Sequence, residues 1–157
     1  MTVQSLLAKL LELIKQKEKL MAEILQLSNK MAGNIEDWEE FNRLLNVRQQ
    51  YIEKIDQLDR QMQRLQQMIK DQAGVGDWPG LKKLHPQRAS AIEAVQSNIG
   101  QMALKAKELT DQAGRLAKQR MNELKQKMQN MQASKAGMAA YRKKGAQHDG
   151  YFIDKKK

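Results

Sequence analysis

The sequence predicts an all-α protein, an antiparallel coiled coil or three-helix bundle with a long C-terminal helix. Apolar residues recur through most of the chain at alternating spacings of three and four residues, the spacing that places them on one face of a helix. Only two prolines and nine glycines interrupt 157 residues, so few positions end a helix. A hydrophobic share of 41% with 29% charged residues fits one folded domain.

The first predicted helix covers about residues 3–32 and carries two adjacent apolar lines. One line consists of Leu6, Leu10, Leu13, Lys17, Leu20, Ile24, Leu27 and Met31, and the other of Leu7, Leu11, Ile14, Met21 and Leu25. An apolar face of this width is typical of a bundle helix that contacts two partners. Gly33 is expected to take the left-handed position that ends the helix, and Asn34 to cap the next one.

The second predicted helix covers about residues 35–72, again with heptad spacing. Arg48 lies on its apolar line, which leaves two interpretations open. Either the stem lies along the core while the guanidinium reaches an edge carboxylate, or the charge is buried and fixes the helix register. The segment from Gly74 to Pro86 is rich in glycine and predicts the longest loop, with Trp78 expected to cover one end of the bundle.

The third predicted helix begins near Pro86 and covers about residues 87–144. Its apolar line is heptad up to Leu116 and then shifts by one residue to Ala117. This helix is much longer than the other two, so the stretch after Met121 is expected to lack a partner helix. The predicted organisation is one helical domain over residues 1–144 and a flexible basic tail over residues 145–157.

The apolar stripe in the last part of the third helix is the candidate partner-binding site. Its residues are Met121, Leu124, Met128, Met131, Met138 and Tyr141. Methionine side chains are flexible and adapt to different apolar partners, and an exposed apolar stripe indicates a missing partner. Three alternatives stay open: the stripe binds another protein, pairs in a homodimer, or folds back as a fourth helix after a break near Gly114 or Gly137.

The positive charge is concentrated in the same helix. Residues 115–144 contain nine Lys or Arg against Glu123 alone, which leaves the first 114 residues nearly neutral although the whole chain has a net charge of +10. A basic helix of this kind can follow a phosphate backbone, so nucleic-acid binding is the rival function. Methionines on the helix face and the lack of aromatic residues for base stacking between Arg115 and Met138 argue against it.

Composition and motifs disfavour other classes. His85 and His148 are the only histidines, and the chain has no glycine-rich phosphate loop and no visible nucleophile with a base, so we expect no enzyme, no cofactor and no metal site. The chain has no cysteine and no apolar run of about 18 residues, and the charges at Lys9 and Glu12 interrupt any signal-like stretch. We therefore expect a cytoplasmic protein without a membrane span.

The chain ends in the peptide "DGYFIDKKK", residues 149–157. Tyr151, Phe152 and Ile153 stand together there although aromatic residues make up only 4% of the chain. We interpret them as a contact surface, either for the chain's own groove or for a binding partner.

The stretch "EDWEEFNRLLNVRQQYIEKIDQLD", residues 36–59, resembles the helical signature "L…L…RQ.LI..ID.LD" of small flagellar export chaperones of the FliT and FlgN kind. The closing peptide is similar to the "DG.F.DKR" ending of FliT-like proteins of Gram-positive bacteria, which favours the FliT-like kind. The matching residues are Arg48, Gln49, Ile52, Ile55, Asp56, Leu58 and Asp59, and Asp149, Gly150, Phe152, Asp154, Lys155 and Lys156.

The resemblance implies a small helical cytoplasmic protein that holds a late flagellar subunit before type III export. FliT holds the filament cap protein, and FlgN holds the hook-filament junction proteins. In this chain, the stripe would then receive an amphipathic helix of the client. The basic charge of the third helix and the long segment around Trp78 depart from the family pattern, so a coiled-coil component of the export apparatus remains a further alternative.

Overall fold

A computed structural model describes the backbone of residues 2–156 and the side chains of residues 2–143. Within this range the chain forms four helices and no strand: α1 (Val3–Gly33), α2 (Trp38–Ala73), α3 (Trp78–Leu84) and α4 (Pro86–Lys156). The predicted all-α helical bundle is confirmed.

Side-chain caps fix where the helices begin. The Thr2 hydroxyl accepts a hydrogen bond from the Ser5 backbone N–H at 3.1 Å, and the Asp37 carboxylate accepts one from Glu40 at the same distance. Asp77 does the same for α3 by accepting from Gly80 at 3.0 Å. Each cap satisfies a backbone donor that has no partner inside its own helix.

The core of the bundle is a series of apolar layers contributed by α1, α2 and the first part of α4. The end layer joins Leu10 of α1 to Ile69 of α2 and Ile92 of α4, and the next layer along joins Ile24 to Ile55 and Ala106. Residue numbers rise together in α1 and α4 while they fall in α2. Helix α2 therefore runs antiparallel to both of the others.

From Ile92 onward, the buried positions of α4 repeat every seven residues, and Ala89 is buried one turn before them. Ile92, Ile99, Ala106 and Ala113 are all less than 9% exposed, as the heptad pattern predicts. The small side chains at the last two of these positions fill less space than the isoleucines at the first two.

Trp78 also packs against the end layer, where the sequence predicts that it covers the bundle.

Polar side chains connect the helices at the edge of this core. Lys17, which lies on the apolar line of α1, donates from Nζ to Oδ1 of Asp59 in α2 at 2.7 Å. Asn98 of α4 donates to Glu18 of α1 at 3.1 Å. Both contacts are specific to one register because a shift of either helix would separate the groups.

Five local expectations differ from the structure. Gly33 does not adopt a positive φ, Asn34 follows α1 as its C-terminal cap instead of capping α2, and α2 begins at Trp38 behind the cap residue Asp37. The segment expected to be a loop contains α3, whose seven residues start at the Asp77 cap. The backbone of α4 is helical to Lys156, beyond the predicted end near residue 144, because no proline follows Pro86 and isolated glycines cost only about 1 kcal/mol each.

The chain divides into two compact units, Met1–Gly114 and Arg115–Lys157. The first unit contains α1, α2, α3 and the start of α4, and the buried residues named above all belong to it. The second unit is the remainder of α4. The division into a domain over residues 1–144 and a flexible tail over residues 145–157 stays a prediction.

Candidate partner-binding site

The predicted stripe lies on the helical segment of residues 115–143 and is exposed along its length. Its five methionine and leucine side chains are 57 to 68% exposed and Tyr141 is 80% exposed, values far above those of the bundle core. Exposed single apolar residues are common, but a line of them on one helix is the mark of an interaction surface.

Helix geometry places these side chains in one line. Met121, Leu124, Met128, Met131 and Met138 follow spacings of four, three, four and seven residues, which keeps them within about 100° of one another around the helix axis. Tyr141 lies about 60° further round than Met138, at the margin of the stripe. From Met121 to Met138 the line is about 25 Å long at 1.5 Å per residue.

Basic side chains surround the stripe. Lys118, Lys125 and Lys143 lie along one margin and Lys127 along the other, while Lys135 interrupts the line between Met131 and Met138. Arg120 donates from Nη1 to Oε2 of Glu123 at 3.1 Å, a pair on the helix surface. Glu123 is the only acidic residue among residues 115–143, so the margins keep a strong positive charge.

The second predicted contact, formed by Tyr151, Phe152 and Ile153, lies outside the residues whose side chains the structure describes. The proposed contact therefore stays a prediction.

Leu116 is an exposed apolar residue that the predicted site did not include; it is 38% exposed and precedes the phase shift at Ala117. Its position as the last residue of the heptad line was the signal that could have identified it.

A shallow groove with a positive charge lies within the first unit. Met21 and Ile24 of α1, Arg48, Ile52 and Ile55 of α2, and Ala103, Ala106, Lys107, Thr110 and Asp111 of α4 line it. The Nε atom of Arg48 is buried and has no hydrogen-bond partner. Burial lowers the pKa of Arg48, and no carboxylate counteracts this. Of the two interpretations of Arg48, the contact with an edge carboxylate is therefore absent from the described residues.

A polar cluster joins α3 to α4. Trp78 donates from Nε1 to Oε1 of Glu93 at 2.8 Å, and Lys82 donates from Nζ to Oε2 of the same carboxylate at 2.9 Å. The hydrogen bond from Lys82, followed by that from Trp78, lowers the pKa of Glu93. The cluster fixes the short helix on the bundle.

The described part of the chain contains no candidate for a membrane span or a metal site. No helix there is long and apolar enough to cross a membrane. No group of three acidic or histidine side chains there is arranged to hold a metal ion.

Comparison with known proteins identifies the family. The FlgN protein family model matches residues 1–149, which is nearly the whole chain. No curated protein and no solved structure matches the chain. The FliT-like preference from the sequence is not confirmed, whereas the broader prediction of a flagellar export chaperone is. The chain belongs to the FlgN family of flagellar export chaperones.

Proposed function

We propose that this chaperone holds a hook-filament junction protein in the cytoplasm before export, with a helix of that client lying along the stripe of residues 121–141. The matching family is FlgN, whose associated clients are the hook-filament junction proteins. We therefore propose a junction protein as the client in preference to the filament cap protein. The aromatic residues Tyr151 and Phe152 of the C-terminal peptide are proposed as a further contact with the client or the export machinery.

The exposed line of apolar side chains on residues 115–143 is the observation that carries the proposal. A helix that presents such a line can pack against an amphipathic helix through anchors spaced three and four residues apart. Burying the line would remove five large apolar side chains from water. This burial stabilises a complex by about 25 cal/mol for each Å² of apolar surface. The flexible methionines would let the surface adapt to clients of different sequence.

Substituting the stripe tests the proposal directly. Replacing Met121, Met128 and Met131 together by glutamine keeps side-chain length and helix propensity while removing apolar contacts. If each methionine contributes about 1 kcal/mol to the complex, the dissociation constant for a purified junction protein should rise about 100-fold. Isothermal titration calorimetry or co-purification measures this change.

A matched control separates loss of the surface from loss of folding. Met68 is also an exposed methionine, 50% accessible, but it lies on α2 in the first unit. The Met68→Gln variant should bind the client with unchanged affinity. Unchanged helicity and thermal midpoint of the triple variant would show that the bundle is intact. Full binding by the triple variant would remove the stripe from the proposal.

The charge of the second unit supports nucleic-acid binding as a second candidate. If it binds duplex DNA, affinity should fall steeply with salt, with a slope set by the number of phosphates that the basic residues neutralise. The triple glutamine variant retains every positive charge, so DNA affinity should be unchanged by it while client affinity is lost. Fluorescence anisotropy with a labelled duplex distinguishes the two functions.

A further inference from the structure

The charges beside the stripe restrict which helix can lie on it. Residues 115–143 carry eight Lys or Arg and one acidic residue, Glu123, which pairs with Arg120. Around the helix, Lys118, Lys125 and Lys143 occupy one margin of the apolar line, and Lys127 the other. These are the positions from which side chains reach across to a partner helix in a two-helix contact.

A second copy of this segment is a poor occupant. If two stripes faced each other, the marginal lysines of one copy would meet those of the other copy, with one glutamate per copy to offset them. Like charges at these positions destabilise helix pairing and are a common means of excluding a wrong partner. Lys135, within the line itself, would also approach the other copy's apolar surface.

Resting on the proposed function, we propose that the helix bound by the stripe carries acidic residues on both sides of its apolar face. Glu or Asp there would meet the lysine margins, and one acidic residue near the centre would face Lys135. The apolar line is about 25 Å long, which corresponds to about 18 residues of partner helix. The specificity of the chaperone then comes from charge, and its tolerance of sequence from methionine.

Designed peptides test this charge requirement without use of the client itself. Three amphipathic peptides of about 18 residues share one apolar face and differ only at the flanking positions, which hold Glu, Gln or Lys. Anisotropy titrations with the full chain should rank them Glu tightest and Lys weakest. Several exposed pairs that each contribute a factor of about two should separate the Glu and Lys peptides by about tenfold.

Charge reversal on the protein gives the complementary measurement. In the variant Lys118→Glu, Lys125→Glu and Lys143→Glu, the preference should change to the Lys peptide. The control variant Lys9→Glu, Lys15→Glu and Lys105→Glu makes the same change in net charge at exposed positions of the first unit. It should keep the ranking of the original chain.

The outcomes are distinguishable. Equal affinity for all three peptides, or an unchanged ranking after reversal at the margins, overturns the charge requirement. The charge requirement is also overturned if a Glu peptide with a scrambled order of apolar residues binds as tightly as the original Glu peptide. It is overturned as well if duplex DNA binds more tightly than the Glu peptide at about 150 mM salt.

The junction protein itself separates this inference from the proposed function. If the client binds, is lost from the triple methionine variant and is retained by the margin variant, the proposed function stands and the charge requirement fails. If the unchanged chain does not bind the client, the proposed function fails as well. Loss of the client from both variants and not from either control supports both.

Discussion

Arg48 and Lys17 show how two charged residues on apolar lines differ in outcome. Lys17 meets the Asp59 carboxylate at 2.7 Å across the α1–α2 contact. Arg48 buries its Nε in the groove lined by α1, α2 and α4 without a hydrogen bond. Periodicity predicts that both lie at the core, but the partner depends on the register of the facing helix, which a single sequence does not reveal.

Replacing Arg48 by methionine should stabilise the bundle. Methionine keeps the length of the stem and removes a buried donor that lacks a partner. Because Arg48 is only partly buried, the gain should be about 1 kcal/mol, at the low end for such groups. Urea unfolding measures it. Arg64→Met, at an exposed position of the same helix, should change stability by less than about 0.5 kcal/mol. A destabilised Arg48→Met would mean that the guanidinium finds a carboxylate in solution.

Glu93 makes the contact between α3 and α4 dependent on pH. Its pKa lies below the ordinary value of 4.5, chiefly because Lys82 and then Trp78 donate hydrogen bonds to it. Since the folded-state pKa is lowered, the stabilisation is fully present above about pH 4.5 and is lost as pH falls through the lower value. Trp78 fluorescence should therefore change below pH 4.5 in a chain carrying Trp38→Phe. In Glu93→Gln that transition should be absent, and its persistence would assign the change to other groups.

At the scale of elements, the glycines at the C-terminal ends of α1 and α2 should respond to substitution with opposite sign. Gly74 has φ of 66° beyond the end of α2, a conformation that costs an alanine about 1 kcal/mol. Gly33 ends α1 without a positive φ, and an added Cβ there meets nothing within 4 Å. Gly74→Ala should lower the free energy of unfolding by about 1 kcal/mol, and Gly33→Ala should raise it by up to about 1 kcal/mol. Chemical unfolding of both variants checks the sign, and equal effects would contradict the assigned caps.

Long helices were predictable and short connections were not. Apart from the start of α2, the bounds of α1 and α2 follow from apolar periodicity sustained over many turns, and the start of α4 follows from Pro86. Helix α3 was missed because Pro79 and Gly80 are typical of loops, whereas here the proline lies in the first turn and the glycine N–H donates to the Asp77 cap. The exposed stripe was predictable for the same reason as the core, since periodicity marks an apolar face and comparison of helix lengths indicated that no helix covers it.

At the scale of the whole molecule, the two units should differ in hydrogen exchange until a client binds. The first unit has fully buried side chains such as Leu7 and Ile14. Among the side chains described from residue 115 onward, Ala117 and Glu123 are partly covered and the others are exposed. An isolated helix without tertiary contacts is marginally stable, so its amides open readily. We expect amides of residues 121–143 to exchange orders of magnitude faster than those of residues 6–14 in the free chain.

Binding of the junction protein should slow exchange in residues 121–143 and leave residues 6–14 unchanged, because only the partner-bound helix gains buried contacts. Hydrogen exchange followed by mass spectrometry, with and without client, measures both regions in one sample. The triple methionine variant is the control and should show no added protection. Strong protection of residues 121–143 in the free chain, dependent on its concentration, would instead identify a second copy as the occupant and contradict the charge argument against self-pairing.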